Sequence, residues 1–261
     1  DRIEREAKHA EALKKQVDHA RRFQDYRNAF EAAACGKQVE IVRSIESVQE
    51  GAEYLIDTAL ATKCWQDLDR TINSFIRQTD KDIEKGEKNA TSINGFFTTC
   101  VGTSLILPLT VMASYSGDSH GGHTELYVEI DGHKESHLSA LRFETSLDAF
   151  IEGLYIAFEL PTKGVYWHGL YGRDYRFLFT TNELIEVLLQ HSNTPPKGDD
   201  MSKLDHPCGV RVSKSGGVFT VSCLAAYPNG SIVDLTAHID GGRLVAEAER
   251  SVLKSSSVVF Y

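Results

Sequence analysis

The chain has 261 residues, of which 41% are hydrophobic and 25% are charged, the composition of a folded globular protein. This composition excludes a chain that is disordered throughout, a collagen and a small disulfide-rich scaffold. Its 28 basic and 37 acidic side chains give a formal net charge of −9. That charge disfavours nucleic acid as a partner, because affinity for nucleic acid comes largely from neutralising phosphates.

The first 35 residues predict one long helix. No Gly or Pro interrupts them, and Gly36 is well placed to end the helix. Apolar residues recur along this stretch at helical spacing. They are Ile3, Ala10, Leu13, Val17, Ala20 and Phe23. The spacing indicates one apolar stripe on a helix whose remaining surface is polar and charged.

The next segment has a more regular repeat, which predicts a second long helix that fades across residues 81–89. Its first apolar residues are spaced alternately four and three apart, as in a coiled coil. They are Ile41, Ile45, Val48, Ala52 and Leu55. Together the two helices predict a helical hairpin or coiled coil over residues 1–90, with these five residues as its assembly surface. Periodicity alone does not say whether that surface meets this chain or a second copy.

An uncharged segment follows the predicted helices. Residues 96–115 are long enough to cross a bilayer, but they are rich in β-branched and aromatic residues, which favour buried strands. We therefore expect two strands separated near Pro108. Insertion of residues 96–115 into a membrane is an alternative that we favour less.

From residue 94 onward the pattern predicts an α+β domain that runs to residue 261. A strand at 124–130 is followed by the turn residues Asp131 and Gly132. Thr145 and Thr180, each with an acidic residue three positions later, predict the starts of two helices. A β-meander with turns at 215–217, 229–230 and 240–242 closes the chain. Strands in consecutive hairpins indicate a mainly antiparallel sheet.

The five cysteines contain no CxxC motif, and we expect reduced thiols in a cytoplasmic protein. The turn at 215–217 decides whether two of them are opposite one another. With residues 215 and 216 as the turn, Cys208 faces Cys223 across the hairpin; with residues 216 and 217, the two do not pair. The sequence leaves both registers open.

Two groups of residues are candidates for a site. The predicted hairpin at 165–180 carries Trp167, His168, Arg173 and Tyr175, which offer stacking faces and a guanidinium for a carboxylate or phosphate. A polar loop at 191–207 would cover this hairpin. His120 and His123 form an HxxH pair, which is a candidate metal site.

Common catalytic signatures are missing from the sequence. It contains no GxSxG, P-loop, GxGxxG, HExxH or EF-hand pattern, so we predict no cofactor. The leading hypothesis is therefore a non-enzymatic assembly subunit that oligomerises through its helices and presents the α+β domain to a protein partner. The alternatives are an enzyme or small-ligand receptor at the 165–180 hairpin, and a membrane-inserting protein that uses residues 96–115.

Overall fold

The structure, a computed structural model, describes residues 2–33, 39–86, 92–95, 110–118, 121–130, 133–135, 143–159, 176–191 and 208–253. Its helices are α1 (Arg2–Ala33), α2 (Thr58–Gly86), α3 (Leu147–Leu154) and α4 (Thr181–His191). A π-helix over Tyr155–Glu159 continues α3. Its strands are β1 (Glu40–Val42), β2 (Glu53–Ile56), β3 (Ser92–Gly95), β4 (Thr110–Asp118), β5 (Gly121–Ile130), β6 (His133–Glu135), β7 (Arg176–Phe177), β8 (Val210–Ser215), β9 (Val218–Ala226), β10 (Ile232–Asp240) and β11 (Arg243–Leu253). Helices combined with mainly antiparallel sheets confirm the α+β class.

The larger sheet has seven strands. Six of them run in the order β1-β2-β8-β9-β10-β11, and β7 pairs with β9 beside β8. All pairs are antiparallel except β1 with β2. Since β1 and β2 come from residues 40–56, the sheet joins the N-terminal part of the chain to the C-terminal meander. The division of the chain near residue 90 remains a prediction.

The two faces of this sheet are covered by different helices. Alternate residues of β9 and β10, such as Val221, Cys223 and Leu235, belong to a core that includes α2 and α3. Trp65 of α2 packs edge-on against Tyr155 in this core, with ring centroids 4.9 Å apart. The opposite face, which carries Leu224, packs against α4 and the C-terminal part of α1. The result is a helix–sheet–helix sandwich.

A second sheet has four antiparallel strands in the order β3-β4-β5-β6. It contains the predicted strand at 124–130, which lies within β5. The region 110–115, predicted as strand, lies within β4, whereas residues 96–109 lie outside the described residues.

The predicted second helix is wrong over residues 40–56. That segment forms β1, a short 3₁₀ turn at Ile45–Ser47 and β2, and helix α2 begins only at Thr58. Gly51 has a φ of +78°, which no helix interior adopts. Asp57 then caps α2, accepting hydrogen bonds at Oδ1 from the backbone N–H groups of Ala59 (3.0 Å) and Leu60 (3.1 Å).

The five residues of the predicted assembly surface therefore form no helical seam. Val48 is buried, and Ile45 and Ala52 pack against the core of the same chain. Ile41 and Leu55 pair across β1 and β2, and Ile41 is 57% exposed. The predicted helical hairpin is likewise not seen as such: α1 packs against α4, and α2 packs against α3.

The helices predicted to begin near residues 145 and 180 and the C-terminal meander are confirmed, with one shift, whereas most of the hairpin predicted at 165–180 lies outside the described residues. Thr180 and Glu183 form a reciprocal capping box at the start of α4, with N···O distances of 2.9 and 3.2 Å. Helix α3 is capped by Ser146 rather than by Thr145, through a 3.2 Å hydrogen bond from the Ala149 N–H. In the meander, Val210 pairs with Cys223 and Ser215 with Val218. Residues 216 and 217 are thus the turn, and Cys208 and Cys223 are both free thiols.

Candidate functional site on the polar face of the sheet

A group of polar residues lies on the sheet face that carries α1 and α4, further along the strands than the apolar residues those helices contact. Arg211 of β8 pairs with Ser222 of β9, which pairs with Thr236 of β10. In the next row, Thr220 pairs with His238, and its Oγ1 lies 3.0 Å from His238 Nδ1. Paired residues project from the same face of a sheet, so these side chains form one polar surface.

The position of this surface follows from the alternation of the strand sequences. In β8 the valines at 210 and 212 enter the core on the other face, which leaves Arg211 on this one. In β10 the apolar residues 233, 235, 237 and 239 also enter that core, and Asp234, Thr236 and His238 lie between them. The sheet thus presents apolar side chains to α2 and α3 and a polar set to its other face.

Arg211 is the most buried charged residue of this surface. Its side chain is 1% exposed, and its Nη2 donates a hydrogen bond to Asp234 Oδ1. Asp234 lies two strands away, so the arginine crosses β9 to reach it. The other oxygen of Asp234, Oδ2, accepts a 3.3 Å hydrogen bond from Nη2 of Arg250, whose side chain is 62% exposed.

The guanidinium of Arg211 is only partly paired. Its Nε and Nη1 atoms are buried and have no hydrogen-bond partner among the described residues. A buried donor without an acceptor costs about 1–3 kcal/mol, and more when the group is charged. The two arginines and one carboxylate of this group also leave one positive charge in excess. Chemically, this arrangement suits an anion.

A second group of polar side chains lies between α2 and α3. Tyr155, at the start of the π-helix, donates a 3.3 Å hydrogen bond to Asp69 Oδ1. Burial, followed by the nearby carboxylates of Asp69 and Glu159, raises the pKa of Tyr155. Burial, with Glu152 as the largest electrostatic contribution, raises the pKa of the Cys64 thiol to about 12. Both groups are therefore neutral near pH 7, and this region has the character of a polar core.

Helix α1 forms a third candidate surface, for assembly. Every residue from 4 to 21 is exposed, and α1 contacts the rest of the protein through its C-terminal part, where Tyr26 and Phe30 are buried. The exposed part includes Leu13 and Val17, whose exposed fractions are 55% and 65%. At about 100° per residue, these two side chains lie on nearly the opposite side of the helix from Tyr26.

The residues proposed for ligand and metal binding from the sequence are largely untested by the structure. Trp167, His168, Arg173, Tyr175 and the 192–207 loop lie outside the described residues, as does His120. His123 belongs to β5, where it pairs with Ser116.

No three His, Cys, Asp or Glu side chains in the described part of the chain stand close enough to share a metal ion. None of the helices within the described ranges is long and apolar enough to cross a membrane.

Sequence reasoning missed the polar face of the sheet, although part of its signal was present. The alternation of β8 and β10 places Arg211 and Asp234 among apolar neighbours and predicts that they project from the sheet face opposite those neighbours. It does not predict that the two side chains meet across β9. That contact depends on the strand order and on the register of two hairpins.

Comparisons with known proteins give no match: no family model, no curated protein and no solved structure matches the chain.

Proposed function

We propose that the protein is a non-enzymatic assembly subunit that dimerises through the exposed apolar stripe of α1 and so presents two copies of its α+β domain to a protein partner. The observation that carries this proposal is the stripe formed by Ala10, Leu13, Val17 and Ala20, which lies away from the domain-facing side of the helix. The surface is thus on the first predicted helix and not on the second.

The physical reason lies in the stability of the exposed part of the helix. Residues 4–21 form about five turns in which every residue is exposed, and His19, whose Nε2 lies 3.5 Å from Glu186 Oε2, makes a contact with α4. In proteins most of the stability of a helix comes from packing of its apolar face. Surface ion pairs such as Lys8–Glu4 (2.8 Å) and Lys15–Glu11 (2.9 Å) add only about 0.3–0.5 kcal/mol each. Covering Leu13 and Val17 is the larger available stabilisation.

Charge distribution favours a second copy of α1 in the antiparallel orientation. Glu6 and Gln24 lie on the same side of the helix as Leu13 and Val17. An antiparallel pair with its two-fold axis near residue 15 places Leu13 against Val17 of the second copy and Ala10 against its Ala20. The same register brings Glu6 level with Gln24 of the second copy. In a parallel pair, Glu6 would face its own equivalent, which is repulsive.

Light scattering on the full chain tests the proposal. We expect a mass of twice 29.0 kDa for the wild type, with dissociation on dilution. Leu13→Glu and Val17→Glu place a charge in the covered stripe and should give monomers. Ala12→Glu makes the same change of charge at an exposed α1 position outside the stripe and should leave the dimer intact.

Two results would contradict the proposal. A wild-type protein that is monomeric at every concentration would show that the stripe does not pair with a second copy. A dimer that survives both Leu13→Glu and Val17→Glu would show that assembly uses another surface. Circular dichroism on each variant separates the loss of pairing from the loss of the fold.

A further inference from the structure

We propose that Arg211 anchors a binding site for one anionic group, a carboxylate or phosphate of a small ligand, on the polar face of the larger sheet. The inference does not depend on pairing of α1. It rests on the orphaned donors of Arg211, on the charge balance around it and on the hydroxyl groups beside it.

The charge balance selects an anion over a cation. The guanidinium groups of Arg211 and Arg250 share the single carboxylate of Asp234. Among the described strand residues of this face the next carboxylate is Glu53, which is exposed and pairs with Ser213 in the neighbouring row. Helix α4, packed on the same face, carries Glu183, whose carboxylate accepts hydrogen bonds from the Phe179 and Thr180 N–H groups. A metal ion would be repelled by the two arginines, whereas an anion restores neutrality to a group that is otherwise positively charged.

The hydrogen-bonding groups fit the same ligand. Arg211 offers two donors, Nε and Nη1, that the protein does not use. Ser222 is its direct neighbour across β8 and β9, and Thr236 follows in the same row. Hydroxyls beside a guanidinium are typical of carboxylate and phosphate sites, where charge-assisted hydrogen bonds are short and strong.

Burial limits the size of the group that enters. Arg211, Ser222 and Asp234 are buried, while Thr220, Thr236 and His238 are half-buried. One carboxylate or phosphate therefore contacts Arg211, and the rest of the ligand extends over half-buried Thr236 toward Arg250, which pairs with Asp234 across β10 and β11. This geometry fits a small anionic ligand better than a polyanion, which needs a continuous basic surface.

An NMR titration at fixed ionic strength tests the site, with inorganic phosphate and acetate as separate probes. The Nε–H signal of Arg211 reports on one of the orphaned donors directly. We expect it to shift saturably with at least one probe, with a dissociation constant on the order of 1 mM, as is usual for a single small anion. A shift with phosphate alone would indicate a phosphate ligand, and a shift with acetate alone would indicate a carboxylate ligand. A shift with both probes supports the shared anion chemistry.

Variants of the two arginines identify the site. Arg211→Gln should abolish the response, as followed by the backbone amides of Ser222 and Thr236. Because that buried variant is at risk of not folding, Arg250→Gln is the second test; it removes the excess charge from an exposed position and should weaken binding about tenfold. Arg243→Gln makes the same change of charge elsewhere on β11 and should have no effect.

The proposal would be overturned by a wild type whose Arg211 signal shifts with neither probe. It would also be overturned if Arg250→Gln and Arg243→Gln bound equally well, because the response would then reflect only the overall charge. A folded Arg211→Gln variant that binds like the wild type would likewise exclude this site.

Discussion

The thiols of this protein illustrate how one residue's surroundings set its chemistry. Cys208 is buried in the core formed with α1 and α4, and burial raises its pKa to about 12, well above the ordinary value of a thiol. The thiolate is the reactive form of cysteine, so this residue is inert at neutral pH despite being unpaired. A free cysteine therefore does not by itself mark a redox or catalytic role.

The raised pKa of Cys208 makes stability depend on pH in a defined direction. In the unfolded chain the thiol ionises near its ordinary pKa of about 8.5, while the folded protein keeps its proton. The stabilisation is complete below that pH and is lost as pH rises toward the folded pKa of about 12. We expect the free energy of unfolding to fall above pH ~9, with Cys208 contributing about 1.4 kcal/mol per pH unit.

Urea denaturation at several pH values measures how the free energy of unfolding falls with pH, with Cys208→Ala as the comparison. The variant has no thiol to ionise at that position, so its free energy of unfolding should fall less steeply with pH. Parallel curves for the two proteins would show that Cys208 ionises equally in the folded and unfolded states.

The turn between β10 and β11 contains two adjacent glycines with similar backbone conformations but different surroundings. Gly241 and Gly242 have φ values of +52° and +74°, both in the left-handed region. A Cβ on Gly241 would meet no atom within 4 Å, whereas a Cβ on Gly242 would lie 2.6 Å from the backbone oxygen of Phe143. The Phe143 N–H also donates a 2.7 Å hydrogen bond to Gly242 O, which fixes this approach.

Substitution of each glycine by alanine should separate backbone strain from collision. Gly241→Ala carries only the conformational cost, roughly 1–2 kcal/mol. Gly242→Ala must also displace the Phe143 backbone, so its loss should exceed that of Gly241→Ala by more than 1 kcal/mol. Denaturation midpoints provide the comparison. Equal losses would indicate that the Phe143 segment moves away without cost.

The elements that the sequence predicts correctly are those determined by local interactions. The capping box of α4 joins Thr180 and Glu183, three residues apart, and the turn predicted within residues 215–217 lies next to the strands it connects, although the sequence leaves its register open. The helix predicted over residues 40–56 is wrong because the contacts that determine the structure of this segment are made with residues far away in the sequence. Leu55 of β2 pairs with Arg211 of β8, and a pattern of apolar residues carries no information about that contact.

At the scale of the whole molecule, the two faces of the larger sheet have different roles. One face carries the apolar core residues of β8, β9 and β10 and holds α2 and α3. The other changes along its strands from apolar residues under α1 and α4 to the polar group around Arg211. The alternation of the strands predicts which residues share this face. The pairing of Arg211 with Asp234 cannot be predicted from it, because it requires the assembled order of β8, β9 and β10.

Helix α1 links this sandwich to the proposed dimer. Its packed part begins near residue 22, and the two-fold axis of the antiparallel pair lies near residue 15. With a rise of about 1.5 Å per residue, the Tyr26 positions of the two copies would lie roughly 33 Å apart along the helix axis. The two domains then occupy opposite ends of the helix pair, and the polar face of each sheet is free to bind its own ligand.

The antiparallel orientation of the two α1 helices predicts how a charge at position 24 changes the affinity of the dimer. Gln24 is exposed on the stripe side of α1 and lies between Arg21 and Arg27 in the sequence. In the antiparallel pair, Gln24→Lys places two new ammonium groups level with Glu6 of the opposite copy. Each exposed ion pair contributes about 0.2–1 kcal/mol, so the dimer should bind a few-fold more tightly. In a parallel pair, the same change places two lysines together and should weaken the dimer.

Sedimentation equilibrium at low salt measures this difference directly, since screening is weakest there. Glu6→Lys should weaken the wild-type dimer, and Gln24→Glu combined with Glu6→Lys should restore it, because Lys at position 6 then lies level with Glu at position 24, the ion pair of the Gln24→Lys variant with its signs reversed. Ala12→Lys adds the same charge outside the stripe and should change the dissociation constant little. Tighter association of Ala12→Lys to the same extent as Gln24→Lys would mean that net charge, and not the register of the helices, governs assembly.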